Sequence, residues 1–97
     1  MVKVKIRRLE WDAHNIEHIA RHNVIPSEVE EVCQNEVAMQ DGRNSYIILI
    51  GKTQDERTLK IVLEQKEKNL WRVATAHDAS RKERKFYQEQ RGGEKSA

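Results

Sequence analysis

Residues 70–90 read LWRVATAHDASRKERKFYQEQ and decide how the chain folds. Trp71, Val73 and Thr75 alternate with the residues between them, which is the two-residue period of a pleated β-strand. The alternation ends near Asp78, and a helical pattern follows. The segment therefore predicts a strand, a turn and a helix in direct succession.

The predicted helix begins with a capping box and is densely cationic. The Ser80 hydroxyl can accept from the backbone N–H of Glu83, and the Glu83 carboxylate can accept from the backbone N–H of Ser80. The cations in the first two turns are Arg81, Lys82, Arg84 and Lys85. Such a patch is a candidate RNA-binding surface, and it would also suit an acidic protein partner.

The whole chain has 97 residues, which is enough for one domain. Charged residues make up 35% of it and hydrophobic residues 37%, so it can bury only a small core. The single Cys33 excludes an intramolecular disulfide and suits a reducing compartment. The sequence contains no apolar run typical of a signal peptide or a membrane span. These features predict a cytoplasmic protein with one domain over residues 1–90 and a disordered tail over residues 91–97.

The rest of the chain alternates between helical and strand patterns. An alternating strand over residues 2–7 is predicted at a sheet edge. Helices are predicted over residues 13–22, after an Asp12 N-cap, and from Pro26 onward. Asn23 stands where a left-handed residue would end the first of them. Four more strands are predicted over residues 37–40, 46–52, 58–64 and 70–76, joined by short turns. This order predicts an α+β fold with a mostly antiparallel sheet, two N-terminal helices and a basic C-terminal helix.

Three histidines fall on one face of the first predicted helix. His14, His18 and His22 are four residues apart, and if Ile16 faces the core this stripe faces solvent. The same helix contains H-x-x-E-H, in which two imidazoles could share a zinc ion and Glu17 could activate its water. A metal-dependent hydrolase is therefore one alternative, and solvated histidines on an outer face are the simpler interpretation.

A second group of candidate residues is spread over the predicted sheet. Arg43, Lys52, Arg72 and His77 come from different strands or from their ends. Cleavage of RNA without a metal needs a base for the 2′-hydroxyl, cations for the phosphate and an acid for the leaving 5′-oxygen. Histidine suits the acid or base step, and arginine offers a planar fork to phosphate oxygens.

Five short motifs extend over most of the chain. They are Glu10-Trp11-Asp12, Arg21-His22-Asn23-Val24, Ile50-Gly51, Trp71-Arg72-Val73 and Ala76-His77-Asp78-Ala79-Ser80-Arg81-Lys82-Glu83-Arg84-Lys85. Together they resemble the BrnT family of toxins, from about residue 8 to residue 87. The most specific parts are the Trp-Asp pair before the first helix and the closing A-x-x-A-x-x-x-E-R segment.

The resemblance implies a RelE-like fold and a metal-independent endoribonuclease with no cofactor. BrnT proteins are toxins of type II toxin–antitoxin modules, so it also implies a BrnA-like antitoxin partner of the ribbon-helix-helix class. The candidate catalytic residues are His77, Arg72, Arg43 and His22, and the candidate RNA-binding residues are Lys52, Arg81, Lys82, Arg84 and Lys85.

Two features of the sequence keep an alternative open. Family members commonly have an arginine where His77 stands, so a non-catalytic RNA-binding or partner-binding module on the same fold is the second hypothesis. Simple alternation also places Arg72 and His77 on opposite faces of their strand. Both can serve one site only if the strand ends or bulges before Asp78.

Overall fold

A computed structural model describes the backbone of residues 2–3, 6 and 8–95. Within those residues the chain forms one mixed sheet and three helices. The elements are β1 (Val2–Lys3), β2 (Arg8–Glu10), α1 (Ala13–Ala20), α2 (Pro26–Gln34), β3 (Glu36–Asp41), β4 (Tyr46–Lys52), β5 (Thr58–Glu67), β6 (Leu70–Asp78) and α3 (Arg81–Lys95). The predicted α+β class and the mostly antiparallel sheet are confirmed.

The N-terminal segment contributes to both edges of the sheet. The strand order is β1-β3-β4-β5-β6-β2, with β1 antiparallel to β3 and β2 parallel to β6. In the β2 ladder, Leu9 stands opposite Trp71. The prediction of one strand over residues 2–7 was therefore wrong in extent, and residues 4, 5 and 7 of it lie outside the described part. An apolar alternation indicates a strand but does not say which of two free edges it will pair with.

Strand β6 and helix α3 extend beyond their predicted ends. The antiparallel ladder between β5 and β6 continues until Leu59 stands opposite Asp78, so β6 is two residues longer than predicted. The last helix continues to Lys95, past the predicted domain boundary at residue 90. Residues 91–95 extend a helix that is already nucleated, although Gly92 and Gly93 each cost about 1 kcal/mol relative to alanine. Residues 96 and 97 lie outside the described part of the chain.

The sheet separates two apolar cores. Ile47 and Leu49 of β4 contact one core, and Ile48 and Ile50 contact the other, as expected for residues that alternate along a strand. The main core consists of the buried residues Ile19, Val24, Val29, Val32, Cys33, Val37, Leu49, Leu59, Ile61, Leu63, Val73 and Ala76. The second core consists of Ala38, Ile50, Ala79 and Tyr87, with Phe86 packed against it. Helices α1 and α2 therefore cover one face and α3 covers the other.

Gly51 lets α2 approach the sheet closely. A Cβ atom at this position would lie 2.9 Å from a methyl carbon of Val32 on α2 and 2.9 Å from a methyl carbon of Val37 on β3. Those distances are shorter than any ordinary carbon–carbon contact, so a larger residue would displace the helix or the strand.

Helix α1 is rotated relative to the sequence prediction. Ile16, expected in the core, is 39% exposed, while Asn15 is 2% exposed and Ile19 is fully buried. Asn15 explains the rotation because its side-chain amide donates to the carbonyl of Glu10 at 2.8 Å and its side-chain oxygen accepts from the N–H of Asp12. The backbone N–H of Asn15 in turn donates to the carboxylate of Asp12. A buried polar group whose hydrogen bonds are made can replace an apolar residue at the interface.

The turn between α1 and α2 follows its predicted local signals. Asn23 adopts a left-handed conformation with φ of 60°. The N–H of Val24 donates to the carbonyl of Ile19 at 3.1 Å, and the N–H of Asn23 donates to that of Ala20 at 3.0 Å, which is a Schellman ending. Helix α2 begins at Pro26, as predicted.

Candidate functional site

Strand β6 contains a bulge of the kind that would place Arg72 and His77 on one side of the strand. Val73 stands opposite Leu63, but Thr75 stands opposite Val62, so Ala74 is an extra residue in the ladder. After it, the alternation of the strand is shifted by one residue.

The shift puts Arg72 and His77 on the same side of β6. In the register, Arg72 stands opposite Glu64 and His77 stands opposite Lys60. Those two β5 residues alternate with the buried Leu63, Ile61 and Leu59 and so share the other face of the strand. Along the strand the two side chains are roughly 13–16 Å apart.

Three histidine rings form a line between α1 and the end of β6. The ring centroids of His18 and His22 are 5.6 Å apart, and those of His22 and His77 are also 5.6 Å apart, both in edge-to-face geometry. His18 Nε2 lies 3.2 Å from the hydroxyl of Thr75, and His77 Nδ1 lies 2.9 Å from the carbonyl oxygen of Asp78. We call His18, His22 and His77 the histidine row.

The row forms because β2 is short. It pairs only with residues 70–72 of β6, and α1 packs beside β6. His22 lies in the turn two residues after the end of α1, and the Schellman geometry of that turn keeps its ring beside that of His18. The expectation that the whole stripe faces solvent was wrong for His18, which is half-buried, while His14 and His22 are exposed.

Arg72 is bound by two carboxylates. Its guanidinium donates to Glu10 at 3.3 Å and forms a second ion pair with Asp12. The hydrogen bond from Arg72 holds the pKa of Asp12 below its usual value, and Asp12 raises the pKa of Arg72. Arg72 therefore holds in place the segment that caps α1, and the carboxylates of Glu10 and Asp12 balance its positive charge.

Arg43 and Lys52 lie at opposite ends of β4. Arg43 is exposed in the turn before β4, and Lys52 ends the strand, so about 20 Å of backbone separates them. Lys52 lies at the same end of the sheet as the histidine row, where the carbonyl of Thr58 accepts from the N–H of Ala79 at 3.0 Å. Nζ of Lys52 also lies 3.6 Å from a carboxylate oxygen of Glu56. The structure thus brings His22 and Lys52 toward His77, but not Arg43.

The start of α3 is anchored beside the row. The Glu83 carboxylate accepts from the N–H of Ser80 at 2.8 Å, and its second oxygen lies 2.9 Å from Nζ of Lys60, the residue opposite His77. Burial alone would raise the pKa of Glu83, but Lys60 and Ser80 together lower it below its usual value. All four cations of the first turns, Arg81, Lys82, Arg84 and Lys85, are exposed.

Sequence reasoning missed Arg57. It follows an acidic turn and has no motif around it, yet its side chain forms hydrogen bonds to two backbone carbonyls and two carboxylates. Its partners lie 21 to 35 residues away in the chain. Only the folded geometry could have singled it out.

The H-x-x-E-H motif does not form a metal centre among the described residues. His14, Glu17, His18 and Arg21 line a shallow depression of about 130 Å³. Glu17 accepts from Arg21 at 3.2 Å, so the carboxylate is paired with a cation. In the part of the chain that the structure describes, no group of three or more His, Cys, Asp or Glu side chains is placed to hold a metal ion.

Comparisons with family models, with curated proteins and with solved structures found no match to this chain. Among the described helices, none is both long and apolar enough to cross a bilayer.

Proposed function

We propose that this chain is a BrnT-like endoribonuclease toxin with a RelE-like fold, which cleaves RNA in the cytoplasm without a metal or a cofactor. The observation that supports the proposal is the pair of imidazoles, His22 and His77, in contact beside the start of a basic helix. Two imidazoles supply both proton-transfer groups that the reaction needs.

The proposed reaction is a transesterification at phosphorus. One imidazole of the pair takes the proton from the 2′-hydroxyl, and the 2′-oxygen attacks the phosphorus. The bond from phosphorus to the 5′-oxygen breaks, and the other imidazole, in its protonated form, gives a proton to that oxygen. The products are a 2′,3′-cyclic phosphate and a 5′-hydroxyl end.

Cations on α3 attract the RNA and hold its phosphates. Arg81 and Arg84 lie in the first turns of α3, whose start is joined to Lys60, and Lys60 stands opposite His77. Because Arg72 already pairs with two carboxylates, phosphate binding falls mainly to these exposed residues and to Lys52.

An RNA-cleavage assay in EDTA tests the proposal. We expect the wild-type protein to cleave RNA with EDTA present, and we expect His77→Ala and His22→Ala each to lower the rate by about 10²–10⁴-fold. His14→Ala is the matched control because it removes an exposed histidine of α1 that lies outside the histidine row. Full cleavage by His77→Ala would overturn the assignment, and cleavage that EDTA abolishes would favour the metal-dependent alternative.

One observation favours the non-catalytic alternative. Two of the cations expected to hold the phosphate are not at the row: Arg72 is paired with carboxylates and Arg43 lies at the far end of β4. A protein that binds RNA in the same assay but leaves it intact would be a binding module on this fold.

The proposed partner is a BrnA-like antitoxin of the ribbon-helix-helix class with an acidic segment that covers α3. Exposed charges at the rim of an interface mainly determine the association rate. Reversing Arg81 and Lys85 to Glu should slow association and reduce its dependence on salt. An unchanged rate would show that α3 lies outside the interface.

A further inference from the structure

The guanidinium group of Arg57 joins three separate segments of the chain. Its Nε donates to the carboxylate of Asp78 at 2.7 Å. One terminal nitrogen donates to the carbonyl of Asn23 at 2.6 Å and to Glu28 at 3.1 Å, and the other donates to the carbonyl of His22 at 3.2 Å. All three nitrogens of the guanidinium group therefore donate hydrogen bonds.

Two of these segments contain the two rings of the candidate site. The carbonyl of His22 accepts directly from Arg57. Asp78 follows His77 in the chain, and its carbonyl oxygen lies 2.9 Å from Nδ1 of that histidine. We propose that Arg57 is the positioning residue that holds His22 against His77. That role rests on the proposed function for its catalytic meaning, but the positioning can be measured without RNA.

Arg57 is well suited to position other groups because its own backbone is fixed. Its N–H donates to the hydroxyl of Thr53 at 3.2 Å, and its carbonyl accepts from the N–H of Thr53 at 2.9 Å. Thr53 is 5% exposed, so this turn is part of the packed structure. The hydrogen bond to Asp78 raises the pKa of Arg57 and lowers that of Asp78, so both groups stay charged at neutral pH.

The arrangement depends on the shape of the side chain as well as on its charge. A guanidinium is a planar fork with five N–H donors, whereas an ammonium has a single nitrogen. Lysine at this position can neutralise Glu28 or Asp78, but it cannot reach the carbonyl of His22 at the same time. Arg57→Lys therefore separates positioning from charge.

The experiment uses the full chain and two readouts. In the free protein, we expect the nuclear Overhauser contact between the ring protons of His22 and His77 to be strong in the wild type and weak in Arg57→Lys. On RNA, we expect that variant to lower kcat by about 10- to 100-fold with KM unchanged, because misplaced groups slow the chemical step and not binding. Arg21→Lys is the matched control, since among the described residues Arg21, at the end of α1, forms an ion pair only with the exposed Glu17.

A second variant covers the case in which Arg57→Lys does not fold. Asp78→Ala removes an exposed side chain, 67% accessible, and leaves Arg57 bound to the α1–α2 turn. It should also weaken the contact between the two rings. An undiminished contact in either folded variant would overturn the positioning role. Loss of the contact in a protein that never cleaves RNA would support the positioning and refute only the proposed ribonuclease.

Discussion

The face of the sheet under α1 and α2 buries twelve described residues in its main core, whereas the face under α3 buries four. On the first face two helices and four sheet strands contribute branched side chains. On the second face Ala38 and Ala79 are small, and the larger apolar side chains are Ile50, Tyr87 and the partly buried Ile48 and Phe86.

The difference assigns different tasks to the two faces. The main core supplies most of the apolar burial and therefore most of the stability. Helix α3 is held by the small second core, by its capping box and by the ion pair of Glu83 with Lys60. Its cations remain exposed, and the histidine row lies at the edge near its first turn.

Leu63→Ala should have the largest effect on stability. Leu63 is fully buried in the main core, and truncating such a residue lowers the free energy of unfolding by about 2–5 kcal/mol. Urea denaturation measures the change. Leu63→Met, which nearly conserves volume, should cost less than about 1.5 kcal/mol. A cost for Leu63→Ala below that of Leu63→Met would mean that the main core is not the principal source of stability.

Gly51→Ala tests the close approach of α2 to the sheet. The added methyl group would overlap Val32 and Val37, and overpacking of this kind costs about 1–3 kcal/mol. Val32→Ala makes room, so the double variant should be less destabilised than the sum of the two single variants. Additive effects in the double-mutant cycle would contradict the predicted overlap.

Phe86→Ala should cost less, because the second core is thin. The ring is half-buried against this core, and its loss should lower the free energy of unfolding by about 1–2 kcal/mol. Gln88→Ala, an exposed change on the same helix, is the control. A cost equal to that of Leu63→Ala would remove the contrast between the two faces.

Lowering the pH should destabilise the packing of α3 against the sheet, by less than Phe86→Ala does. The pKa of Glu83 is lowered in the folded state, so its stabilising effect is present above its unfolded value of 4.5 and disappears as the pH falls through the folded value. Glu83→Gln keeps a capping side chain but does not titrate, so its stability should fall less between about pH 5 and pH 3. The expected difference is under about 1 kcal/mol.

The control for the acid experiment is Glu89→Gln. Glu89 is exposed on the same helix, and no ion pair among the described residues involves it. Urea midpoints at several pH values measure both variants against the wild type. If the two variants have the same pH dependence, Glu83 is not the group that couples α3 to pH.

Local signals in the sequence determined where many elements begin and end. Four local features are present as predicted: the Ser80–Glu83 capping box, the left-handed Asn23, Pro26 at the start of α2 and the strand over residues 46–52. Each depends on residues within a few positions of one another. Such short-range effects of backbone geometry and hydrogen bonding can be inferred before any tertiary contact is known.

Tertiary structure alone decided how those elements meet. The rotation of α1 follows from the buried amide of Asn15, and the shared side of Arg72 and His77 follows from the extra residue at Ala74. Arg57 gains its role from partners more than 20 residues away. Register, burial and long-range hydrogen bonds depend on the competition among many distant partners. The periodicity of one segment reflects only that segment's own preference. The sequence therefore shows where the histidines stand in the chain, and the fold determines which of them are neighbours.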